Sequence, residues 1–160
     1  MQQKIFVFDE LMEEHRELLR RARALQDALS GDVPSSVASA PDFSELCERV
    51  SRHLRKEEEA LLPVLARYGT VRDDFEPVTR MLLGHARIRK EISRLGGEAA
   101  RGRVGSFTLQ KFAYGLARGV LEEEQEYRYL EERLPNEALE EISERLSARY
   151  GGDPSPSAIP

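Results

Sequence analysis

The sequence predicts an all-α fold, an up-down-up-down four-helix bundle with a short additional C-terminal helix, and three observations predict it. Apolar residues recur at mixed three- and four-residue spacing through four long stretches. Proline and glycine cluster between those stretches, and no alternating run reads as a strand. Charged residues make up 33% of the chain and Trp is absent, a composition suited to long amphipathic helices with solvated outer faces.

The first helix runs from Asp9 to Leu29, where Leu11, Met12, His15, Leu18, Leu19, Ala22, Leu25 and Leu29 share one face. Ser30 to Pro41, SGDVPSSVASAP, is a loop by composition. Asp42 is the expected N-cap of the second helix, with Glu45 as its capping-box partner. That helix is expected to reach Tyr68 with an inward stripe of Phe43, Leu46, Val50, His53, Glu57, Leu61 and Val64, kinked at Pro63. After a turn at Gly69, the third helix spans Val71 to Leu95 with the stripe Phe75, Val78, Leu82, His85, Ile88, Ile92 and Leu95. In it Pro77 marks either a kink or the true start. Gly96 to Gly105 reads as the next loop. The fourth helix covers Phe107 to Leu134 with Leu109, Phe112, Leu116, Gly119, Glu123, Tyr127 and Leu130 inward, and Pro135 stops it. Asn136 is the expected cap of a last helix containing Leu139, Ile142 and Leu146. The expected domain is residues 1–150, with 151–160 a flexible Gly/Pro/Ser-rich tail. Four stripes joined by short loops bury themselves most simply against one another.

The 160 residues suffice for one domain with a real core. A net charge of −5, with Arg and Glu interspersed, leaves no basic face for a nucleic acid backbone. Cys47 is the single cysteine, so neither an intrachain disulfide nor a thiolate cluster can form; it reads as a small half-buried helix residue. The N-terminal MQQKIFVFDE lacks the apolar core of a signal peptide, and no apolar run is long enough to span a bilayer. A cytoplasmic protein with no membrane partner is the expectation.

His15, His53 and His85 are the only histidines, and each falls on the apolar stripe of a different helix. With stripes taking about three-sevenths of positions, random placement would achieve that less than about one time in ten. Glu57 follows His53 by one turn, so an imidazole and a carboxylate project side by side at the reach of one ion. Glu123 holds the matching stripe position on the fourth helix. Carboxylates taken into a core without a partner cost several kcal/mol, so these need compensation. A bound cation supplies it; so does a metal-free network with histidinium or Arg.

The string H-L-R-K-E-E-E-A-L-L-P from His53 to Pro63 resembles the second-helix motif of the hemerythrin-like HHE cation-binding family. The resemblance extends to E-E-H-R-E-L-L around His15, G-H-A-R-I-R around His85 and L-A-R-G-V-L-E-E-E from Leu116 to Glu124. It implies a bundle with a di-iron centre; loss of a fourth-helix imidazole would harden that centre toward Fe(III), manganese or mixed occupancy. The resemblance places the first-helix ligand on His15, the second-helix histidine and bridging carboxylate on His53 and Glu57, and the third-helix ligand on His85.

The fourth helix departs from the family's H-x-x-x-E or H-x-x-x-D: Gly119 stands where the histidine should be and Glu123 at the carboxylate. An alternative register sets Glu122 and Glu126 in those positions but turns Gly115 and Gly119 onto the apolar stripe. In the first register Glu126 lies one turn past Glu123 near the edge of that face and is a candidate replacement ligand; Tyr127 is the other. The metal paired with His85 alone would be the weaker, harder and more open site. The expected partner is a small diatomic or peroxide ligand, with a homodimer an open expectation. The competing reading is a metal-free helical regulatory module.

Overall fold

A computed structural model describes residues 7–29, 40–68, 75–101 and 104–151. The helices are α1 (Asp9–Leu29), α2 (Ala40–Ala60), α3 (Leu62–Tyr68), α4 (Phe75–Ala99), α5 (Ser106–Arg133) and α6 (Asn136–Tyr150), with no strand among the described residues. The turn at Gly69, Val71 to Asp74 and the tail beyond Gly151 lie outside the described residues, as does the Ser30–Pro41 loop except its last two positions.

Proline chemistry sets several boundaries away from the sequence expectation. The second helix is not one kinked rod to Tyr68. It stops at Ala60 and restarts at Leu62, because Pro63 has no N–H to donate to Glu59 and its ring would meet that carbonyl. In the first turn of α3 that missing donor costs nothing, and Leu65 donates to Leu61 at 2.9 Å. α2 begins at Ala40 with Pro41 in its first turn, so Asp42 is not a cap; it lies inside the first turn, where its charge favours the helix dipole. Pro77 is the third residue of α4, so it belongs to the helix start. Leu134, driven to extended backbone by the following proline, ends α5 (φ −72, ψ 139). Pro135 itself caps α6, so Asn136 is the first helical residue instead of the cap.

Gly96 and Gly97 do not end α4, which runs on to Ala99. Each glycine costs about 1 kcal/mol in a helix. Against that, Leu95 is fully buried, Ala99 packs on the core, and Arg94 and Glu98 pair at 2.9 Å.

The long helices form a ring in which α1 packs on α2, α2 on α4, α4 on α5 and α5 on α1. Two apolar clusters fill it. One joins Leu18, Ala22 and Leu25 of α1 to Phe43, Leu46 and Val50 of α2, Leu95 of α4, and Leu109, Phe112 and Leu116 of α5. The other joins Leu11 of α1, Ala60 at the end of α2, Met81 of α4 and Tyr127 and Leu130 of α5, together with α3 and α6. The C-terminal halves of α1 and α4 therefore meet the N-terminal halves of α2 and α5, which is the up-down-up-down order.

Individual stripe positions shift by a residue. Leu82 is 43% exposed and Met81 takes its inward place; Gly119 is half-buried and Val120 is buried. Cys47 is buried in the first cluster, and burial, then the nearby Glu48, pushes its thiol up to about 11. α6 docks Ala138, Leu139, Ile142 and Leu146 against α2 and α3, and Arg149 and the Tyr150 hydroxyl bond to Glu59 at 2.8 and 2.6 Å. No helix among the described residues is long and apolar enough to cross a membrane.

Candidate metal centre

Between the two clusters lies a polar layer. His15 comes from α1, His53 and Glu57 from α2, His85 from α4 and Glu123 from α5, and all five are buried. The three- and four-residue spacing that turns leucines inward turns these five inward at the same height. His15, His53, Glu57 and Glu123 each offer one donor atom, and the four atoms lie within 4.8 Å of one another. Donors across a single ion sit roughly 4.2 Å apart, so this is the span of two metal–ligand bonds.

His85 completes the layer from the opposite side. Its Nε2 lies 2.9 Å from Glu57 Oε2 and 3.3 Å from Glu123 Oε1. The other Glu123 oxygen, Oε2, is 3.2 Å from His15 Nε2, and Glu57 Oε2 is 3.7 Å from His53 Nε2. The two oxygens of Glu123 thus face different imidazoles. The Tyr127 hydroxyl donates to Glu57 Oε1, and its ring stacks between Phe8 and His15 at 4.7 and 5.6 Å.

Two of the outward nitrogens are hydrogen-bonded to carboxylates, His53 Nδ1 at 2.8 Å from Glu14 Oε2 and His85 Nδ1 at 2.9 Å from Glu58 Oε1, whereas His15 Nδ1 lies 3.5 Å from Glu124 Oε1 with no hydrogen bond. Glu14 also accepts from the buried Lys56, whose ammonium lies 5.1 Å above the Tyr150 ring. Glu58 accepts from Arg89 at 2.8 Å. On His53 and His85, a carboxylate on Nδ1 aims Nε2 inward.

Charge follows the same geometry. Burial disfavours ionisation of Glu123, but its contacts with His15 and His85 outweigh burial and bring it down to about 2. Burial opposes a charge on His85, yet Glu123 and Glu57 raise it to about 10. His53 is also raised, burial being overcome by Glu57 and Glu14, while Glu14 is lowered against its own burial by His53 and Lys56. Burial, then the charges of Glu57 and Glu123, hold the Tyr127 phenol well above its ordinary range.

Several inner atoms nonetheless lack hydrogen bonds. His15 Nε2, His53 Nε2, His85 Nε2 and Glu57 Oε2 are all buried and none is aligned with a partner. An unmade bond on a buried polar group costs about 1–3 kcal/mol, and four such atoms in one buried layer are the pattern bound cations satisfy. The residues present fit a metal of the nitrogen- and oxygen-binding kind.

Glu126 stands apart from this group, paired with Arg80 at 2.9 Å, and Glu122 is exposed beside Arg118 at 3.0 Å. Sequence reasoning missed Glu14, Glu58 and Lys56. Each flanks a histidine stripe, but their partners sit on other helices, so no spacing rule points to them.

Helices in a ring, with imidazoles and carboxylates in one interior layer, define a bundle that offers a cation its ligands. The family model of the hemerythrin HHE cation-binding domain matches residues 7–130, and the chain belongs to that family. Neither a curated protein nor a solved structure matches it.

Proposed function

We propose that the chain is a hemerythrin-like non-haem iron protein whose di-iron centre binds or reacts with O2, peroxide or nitric oxide, or serves iron storage or sensing. The observation that carries this reading is the set of four buried, unbonded donor atoms on His15, His53, His85 and Glu57. His15 and His53 would hold one ion and His85 the other, with Glu57 and Glu123 between them. Imidazole and carboxylate donors without thiolate suit iron or manganese. When bound, such a metal supplies redox chemistry and an open position for a small ligand.

The chain's own residues set the conditions. Glu14 and Glu58 orient His53 and His85, and Lys56 and Arg89 hold those carboxylates in turn. Tyr127 keeps its proton and presents it to Glu57 inside a water-excluded layer. Elemental analysis of freshly purified protein, with absorbance followed after the reduced protein meets O2, tests the reading. Near-stoichiometric iron with either a stable adduct or rapid oxidation is expected; protein devoid of metal would sink it.

The close approach of His85 to Glu57 favours one competing reading, a metal-free regulatory module neutralised by its own ion network. It requires substoichiometric metal and only modest stability changes in His53→Ala and Glu57→Ala.

A further inference from the structure

Glu57 and Glu123 both stand between the imidazoles, but they present their oxygens differently. Glu123 turns one oxygen to each side, Oε2 to His15 Nε2 at 3.2 Å and Oε1 to His85 Nε2 at 3.3 Å. Glu57 turns only Oε2 that way, 2.9 Å from His85 Nε2 and 3.7 Å from His53 Nε2, and this oxygen is buried without a hydrogen bond. Its other oxygen, Oε1, accepts the O–H of Tyr127.

That donor is held in place. Tyr127 and Glu57 are both fully buried, so water does not compete for the bond. The Tyr127 ring stacks on Phe8 with 15° between the planes and lies nearly parallel to His15, at 6°. Tyr127 also follows Glu123 by one turn of α5, so the helix that brings the second carboxylate brings the hydroxyl that occupies the first. An ionised carboxylate accepts through either oxygen. A metal at Oε1 would have to share it with the phenol or break the bond, whereas Oε2 is free.

We propose that Tyr127 is a positioning residue that makes Glu57 a one-oxygen ligand, a role that rests on the di-metal reading. Its hydroxyl keeps Oε1, so Glu57 joins the two ions through Oε2 alone while Glu123 joins them through both oxygens. The centre then has one oxygen donor fewer than two symmetric bridges would give, which leaves a coordination position for a small ligand.

Ferrous iron under argon is the probe, added to the metal-free full chain and followed by infrared difference spectra. A one-oxygen carboxylate ligand separates the antisymmetric and symmetric stretches more widely than a two-oxygen bridge does. Wild-type protein should show both patterns. Tyr127→Phe, which removes the hydroxyl and keeps the ring stack, should lose the wide one at unchanged iron content. On loading, the wild-type ultraviolet difference spectrum should contain no phenolate band. A phenolate band, a wild-type spectrum with the narrow separation alone, or a wide separation that persists in Tyr127→Phe overturns the assignment; the first two need no variant. Protein that takes up no iron overturns the metal reading itself, and iron content separates that result from the others.

Discussion

His53 is held by two carboxylates with different duties: Glu57 meets its inner nitrogen, while Glu14, locked by the buried Lys56, meets the outer one. Removing such an outer partner typically costs about 10–100-fold in metal affinity. Glu14→Ala is therefore expected to weaken metal binding by that factor in chelator competition, with Glu14→Gln recovering part of it; equal affinities across the three proteins would show that Glu14 does not orient the ring. Gly119 offers the converse experiment. Its Cβ position is clear apart from an ordinary contact with Ile88, and Glu123 lies one turn away. Gly119→His should add an imidazole to the open side, raising metal retention there and changing the absorbance spectrum. An unchanged spectrum and metal content would mean that position 119 does not reach the centre. At this scale the inward histidines and Glu57 were legible because helical spacing alone turns them to the core. Glu14, Glu58 and Lys56 were not, since their roles come from neighbouring helices.

Among the elements, α6 lies outside the family match at 7–130 yet shares a core with the bundle. Ile142 is fully buried there, and Tyr150 at the helix end covers Lys56, which holds Glu14. Ile142→Ala should destabilise the protein by about 2–5 kcal/mol, read from urea unfolding. It should also loosen metal retention, because undocking α6 uncovers Lys56. A full loss of stability with metal retention unchanged would separate the two roles. Helix existence was readable from periodicity, whereas several ends were not. Pro63 splits a helix where the sequence predicts a kink, and Gly96 and Gly97 are carried inside α4 by the burial of Leu95 and the packing of Ala99 on the core. Local propensity yields to packing when buried area outweighs a glycine's cost.

For the whole molecule, the ring of helices concentrates both signs of charge in one dry layer, and that layer must exchange protons for a cation. In chelator-stripped protein His85, raised to about 10, carries a proton at neutral pH, and the upward shift of His53 adds to the protons the layer holds. Metal uptake must displace them, so it should release protons, and apparent affinity should fall as pH falls. Calorimetry in buffers of different ionisation enthalpy checks the release; uptake without protons would mean that these imidazoles are neutral beforehand.

The all-α class, the inward faces of the long helices and the presence of three core histidines follow from the order of residues, because a helix repeats every 3.6 positions whatever surrounds it. Which imidazole meets which carboxylate, where the helices break, and which oxygen of Glu57 the Tyr127 hydroxyl takes depend on how four separate helices are set against one another. Those distances join residues up to 109 positions apart, as between His15 and Glu124, and no local periodicity encodes them.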